Sequence, residues 1–170
     1  MDPGPRFLFL LLAALLAVSP TALAADPHVL FETRCGACHE HAGPFARETL
    51  TLDGEVVRGA QTGRDMADFL PRHRGALTPE ETALLLDMFR RQIAWGGLFQ
   101  ARCRACHQSA RGLARHHLIV RDGVLRGRYS GRDIAAFLAH HGRTDGAERE
   151  VLVELLLWHL EVLDRVDAVR

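Results

Sequence analysis

Cys35-Gly36-Ala37-Cys38-His39 and Cys103-Arg104-Ala105-Cys106-His107 are one pattern, C-x-x-C-H, written twice at an offset of 68. The two motifs hold all four cysteines of the 170-residue chain. Chance would give roughly 0.005 such motifs for this composition, so two in register carry a meaning. The offset extends well beyond them. Leu30-Phe31 matches Leu98-Phe99, Arg34 matches Arg102, Ala46-Arg47 matches Ala114-Arg115, and Arg58-Gly59 matches Arg126-Gly127. Gly63-Arg64-Asp65 matches Gly131-Arg132-Asp133, Phe69-Leu70 matches Phe137-Leu138, and His73 matches His141. A one-residue deletion then moves the register to 67, so that Thr78 meets Asp145, Glu81 meets Glu148 and Asp87 meets Glu154. An internal repeat of this length makes the fold one unit used twice. The joint lies at Trp95-Gly96-Gly97, where two glycines break the preceding helix and leave a linker too short for free swinging.

Each unit predicts the same elements. A short helix carrying Leu30 and Phe31, or Leu98 and Phe99, leads into the cysteine motif. A β-hairpin follows, with Asp53-Gly54 or Asp122-Gly123 between apolar runs. Thr62 and Ser130 are read as the N-caps of a second helix bearing Met66, Phe69 and Leu70, or Ile134, Phe137 and Leu138. A third helix opens with a capping box, Thr78 to Glu81 or Asp145 to Glu148. The run from Val151 to Leu163 is apolar over more than one stripe, which predicts burial between the halves.

Ahead of the repeat, Phe7 to Val18 is an unbroken apolar run of twelve, preceded by Arg6 and followed by Ala22-Leu23-Ala24. That is the pattern of an export signal over residues 1–24, and it falls short of the about 20 residues that span a bilayer. Cleavage would leave two domains, 25–95 and 96–170, in an oxidising compartment, the bacterial periplasm, without a membrane span. Lysine plus arginine and aspartate plus glutamate each number 21, so net charge gives no sign of a nucleic-acid partner. Apolar residues at 48% and charged residues at 25% exclude wholesale disorder. Aromatics at 6% are few for two self-sufficient cores, whereas ten histidines are many.

The C-x-x-C-H spacing has a chemical reason. Cys35 and Cys38, or Cys103 and Cys106, lie three positions apart on a helical turn, so both thiols face one way and can add to the two vinyl groups of one haem. His39 or His107 then stands under the iron as proximal ligand. Two covalently bound haem c groups are therefore expected, each supplying an apolar disc around which a small core can form. A redox disulfide would want a thioredoxin-like context. A zinc site built from the four thiolates, or simple structural disulfides, would leave His39 and His107 unexplained.

Each half resembles a class I c-type cytochrome domain, over residues 28 to 163. The shared features are the helix ending in C-x-x-C-H, a distal-ligand loop and a closing helix. Leu77-Thr78-Pro79-Glu80-Glu81 is similar to the start of that family's last helix. Gly43-Pro44 is similar to its Gly-Pro, whose proline carbonyl holds the proximal histidine; the second half has Gly112-Leu113. The resemblance implies a mainly α fold of two tandem helical domains, each with a small hairpin.

The chain departs from the family at the sixth ligand. Where the family places methionine, this sequence has His73 and His141, each 34 residues beyond its proximal histidine. Met66 aligns with Ile134 and Met88 with Leu155, so no methionine serves both halves. Bis-histidine iron is expected in both, with His140 an alternative to His141, and a lower potential than methionine ligation gives. Arg58, Arg126, Arg64 and Arg132 are candidates to pair with haem propionates. His28, His41, His116, His117 and His159 lack repeat partners and are expected to be solvated or hydrogen-bonded. The function expected is a soluble electron carrier rather than an enzyme. The resemblance implies that it works between membrane-bound and soluble periplasmic redox proteins, and the electron-transfer subunit of a larger enzyme is an equal reading. The alternatives are a haem enzyme or gas-binding protein with one open iron, and a haem-based sensor module.

Overall fold

The computed structural model describes residues 26–74 and 76–168, and the export signal expected over residues 1–24 lies outside them. The chain is mainly helical, with two separate two-stranded antiparallel hairpins. The first half runs α1 (Pro27–Arg34), α2 (Gly36–His39), α3 (Ala42–Thr49), β1 (Leu50–Asp53), β2 (Val56–Gly59), α4 (Met66–Phe69) and α5 (Pro79–Ala94). The second runs α6 (Leu98–Arg102), α7 (Ala110–His117), β3 (Leu118–Arg121), β4 (Val124–Gly127), α8 (Ile134–Leu138) and α9 (Gly146–Asp167). No described helix is long and apolar enough to cross a membrane.

The hairpins form where expected, but their turns differ. Asp53 pairs with Val56 and Arg121 with Val124, leaving Gly54-Glu55 and Asp122-Gly123 as the two-residue turns. In the second turn both residues take positive φ, 53° at Asp122 and 71° at Gly123, the backbone of a type I′ turn. In the first only Gly54 does, at 59°. Asp53 is thus the last residue of β1, and its carboxylate accepts from Arg58 Nε at 2.9 Å.

Two expected caps are corrected. The helices after the hairpins are capped by Asp65 and Asp133, whose carboxylates accept from Ala67 N and Ala136 N. Single bridges, Arg58 to Asp65 and Arg126 to Asp133, hold the chain extended up to the aspartates, so neither helix can start earlier. Thr62 and Ser130 instead accept from the backbone N–H two residues on, at Arg64 and Arg132. Both hydroxyls fold back onto Gly59 and Gly127, where a Cβ would collide with them. The Arg-Gly step of the repeat is therefore a packing requirement.

The closing helices start as their sequences predict. Thr78 and Asp145 accept from the N–H groups of Glu81 and Glu148, and each glutamate accepts in return from the N–H of its cap residue. Helix α5 stops at Trp95, after which Gly96 and Gly97 take φ of 56° and 78°. One contiguous core runs through both halves, from Phe31, Leu85 and Phe89 to Phe99, Leu152 and Leu156. Helix α9 is buried along Leu152, Leu155, Leu156, Trp158, His159, Leu160, Val162 and Leu163. Trp158 meets Trp95 edge-on at 5.3 Å and His159 stacks on His28 at 5.5 Å, so α9 covers the first half as well as its own. The burial expected for α9 is found.

Candidate functional site

Each half contains an apolar slot with a histidine on either side. The helix before each cysteine motif is short because its last turn runs straight into the motif. In the first, the N–H groups of Cys38 and His39 donate to Cys35 O, both at 3.0 Å. In the second, Cys106 and His107 donate to Cys103 O at 3.1 and 2.9 Å. Both motifs thus close into one helical turn, which puts the two sulfurs and the imidazole of each on neighbouring positions. All four cysteines are free thiols. Cys35 and Cys103 are half-buried, and burial pushes both thiols up from their ordinary range. That is opposite to the low-pKa thiolate of a redox-active pair.

The second histidine of each slot sits in the turn after the short helix. His73 N donates to Phe69 O at 3.0 Å, and His141 N to Leu138 O at 3.4 Å. Each imidazole rests on the phenylalanine one turn back, Phe69 at 4.7 Å and Phe137 at 4.6 Å. Those contacts turn the rings inward. His39 and His73 face each other with ring centres 6.3 Å apart, and His107 and His141 with 6.2 Å. Two imidazoles bound to opposite sides of one metal, each through a bond of about 2 Å, place their ring centres roughly 6.2 Å apart. The separation in both halves therefore fits one iron between each pair. His140 does not line the slot; His141 does.

The walls are apolar. The first slot, ≈ 230 Å³, is lined by Cys35, Phe31, Phe45, Leu50, Met66, Phe69 and Phe89 beside its two histidines. The second, ≈ 450 Å³, is lined by Cys103, Cys106, Phe99, Leu113, Leu118, Ile134, Phe137, Leu152 and Leu156 beside its own. The difference has a sequence cause: the repeat places Phe45 and Phe89 opposite Leu113 and Leu156, and the Phe45 ring leans on His39 at 4.6 Å. A flat apolar group suits such walls, and the imidazoles with the thiols of Cys35, Cys103 and Cys106 are the groups that could hold it; Cys38 is exposed and does not line the first slot.

Other expected residues fall out differently. Arg64 lines the first slot and lies 5.8 Å from the Phe69 ring centre; Arg132 repeats the contact with Phe137 at 5.9 Å. Arg58 and Arg126 donate to the carbonyls of Gly63 and Gly131, so they brace the turn after the hairpin. Pro44 lies inside α3. His28 Nε2 and His159 Nδ1 are neither solvated nor hydrogen-bonded: both atoms are buried and have no partner among the described residues. Among the described residues no three His, Cys, Asp or Glu side chains converge as a metal-binding group.

A repeated link escaped the sequence reading. Arg34 pairs with Glu81 at 3.3 Å, and Arg102 with Glu148 at 2.6 Å. The arginine just before each first cysteine is thereby tied to the capping glutamate of each closing helix. The signal was present, since Arg34 aligns with Arg102 and Glu81 with Glu148. Alignment alone does not say which repeated residues touch. Compared with protein-family models, curated proteins and solved structures, the chain shows no match to any of them.

Proposed function

We propose that the chain is an exported dihaem c-type cytochrome that carries electrons between redox proteins. The observation that carries this reading is the facing histidine pair, His39 with His73 and His107 with His141, found twice at nearly the same separation beside a C-x-x-C-H turn. Bound haem would supply a one-electron iron couple at each site. The chain's own residues do the rest. Cys35 and Cys38, and Cys103 and Cys106, fix the group covalently, which keeps it from being lost outside the cell. The two imidazoles of each slot would hold the iron from either side of the slot, which would leave no place for substrate and need little rearrangement between redox states. Phe31, Phe69 and Phe89, and their counterparts Phe99, Phe137 and Leu156, keep water from the slot and favour the less charged state of the site. The short joint at Gly96-Gly97 and the shared core hold the two sites in one body, which suits transfer between them.

The test is the intact mass of the chain matured with haem-attachment machinery, followed by redox titration. Two haem groups per chain, surviving denaturation, and reversible one-electron steps at both are expected. The double change Cys103→Ser and Cys106→Ser should leave one. A chain that leaves the same machinery without attached haem overturns the reading.

A further inference from the structure

A third cavity, ≈ 620 Å³, opens between the halves. Its lining shares only Phe99 with the second histidine slot and nothing with the first, so it is a separate site. Side chains from both halves wall it, chiefly His28, Arg47 and Trp95 from the first and Arg104, Arg111 and His159 from the second.

This chamber gathers the unmet polar groups of the molecule. Of the five buried side-chain atoms without a hydrogen-bond partner among the described residues, four belong to it: His28 Nε2, Trp95 Nε1, Arg111 Nη1 and His159 Nδ1. Trp95 and His159 are only 4% and 5% exposed, so neither reaches bulk solvent. An indole N–H and a guanidinium can only donate, so what meets them must accept. Arg111 uses its other terminal nitrogen on Asp26, the residue that also caps α1. Arg47 and Arg104 pair with no carboxylate among the described residues, and Glu32 is the only acidic residue lining the chamber. Burial holds both histidines neutral, with His159 pushed down to about 3, so they add hydrogen-bonding capacity without charge. The result is a pocket of ligand size, rich in N–H donors, whose three guanidinium groups are set against Glu32 in the lining and Asp26 beside Arg111, an excess of one positive charge.

We propose that this chamber binds a small polyvalent oxyanion, a carboxylate or phosphate compound, clamped between the halves by Trp95, Arg111 and Arg104. Guanidinium groups and a fixed indole N–H are the donors that such oxygens call for. The proposal rests on these residues alone and does not depend on haem.

Calorimetric titration of the purified full chain with citrate and, separately, with inorganic phosphate tests it. Saturable binding of one anion per chain is expected for at least one of them, and which one binds identifies carboxylate or phosphate chemistry. Trp95→Phe keeps an aromatic ring and removes the N–H. Arg104→Gln changes an exposed side chain that makes no ion pair or side-chain hydrogen bond among the described residues. Each should weaken binding about tenfold. No saturable heat with either anion would mean a solvent-filled chamber and overturn the proposal, as would unchanged binding in both variants.

Discussion

His140 and His141 differ by one position, and the backbone chooses between them. His141 stacks on Phe137 and faces His107, whereas His140 does not line the slot. His141→Ala should therefore open one of the two irons, giving a carbon monoxide-sensitive fraction near half of the haem in the reduced spectrum. His140→Ala should leave that spectrum unchanged. The cysteines and all four slot histidines were legible because both halves repeat them. His28 and His159 were not, for the converse reason. They sit where unlike faces of the two halves meet, so His159 aligns with Gln92 and His28 with Gly96. A repeat alignment finds what each half does for itself and is blind to the contact between halves. Burial, with His28 and Arg111 nearby, holds His159 far below its ordinary value, to about 3. Asp26, paired with Arg111, and Glu32 are the acidic groups beside this cluster; both pull the pKa of His28 up, but burial outweighs them and His28 too lies below its ordinary value. Between that pH and about 6.5 the unfolded chain binds more protons than the folded one, so stability falls as pH drops through this window. This one group contributes a slope of at most about 1.4 kcal/mol per pH unit. Denaturant titrations at pH 7 and pH 5 should show the loss, and His159→Phe should flatten it.

At the scale of elements, the termini of α5 and α9 position the sites. Their capping boxes were legible from Thr78, Glu81, Asp145 and Glu148, since capping is local chemistry at fixed spacing. The same glutamates reach Arg34 and Arg102, which ties each closing helix to its cysteine motif. Thr78→Ala should cost about 1 kcal/mol by losing its bond to Glu81 N, read as a lower Tm. The caps of α4 and α8 were misread because Thr62 and Ser130 are good capping residues that form a tighter turn first, with Asp65 and Asp133 supplying the caps three residues later. Gly127→Ala should disturb that turn by driving a Cβ into Ser130 Oγ. A lowered Tm with the haem spectrum retained is expected, since the glycine shapes the slot wall without being a ligand.

The whole molecule is two copies of one plan joined asymmetrically. Helix α9 extends beyond its counterpart α5 and lays Trp158 and His159 against Trp95 and His28. The apolar breadth of α9 made that burial legible; the polar chamber beside it was not, because His28, Trp95, Arg104, Arg111 and His159 come from positions where the two halves carry different residues. The shared core predicts that both halves melt together, in one calorimetric transition. Trp158→Ala removes the largest bridging side chain and should cost about 3–5 kcal/mol in denaturant titration.

The most direct measurement is the optical spectrum of the matured protein, taken oxidised, reduced, and reduced under carbon monoxide. Facing histidines in both halves predict low-spin iron in both redox states and no response to carbon monoxide. A high-spin component that binds carbon monoxide would show an open iron, contradict the distal role of His73 or His141, and point to catalysis or gas binding instead.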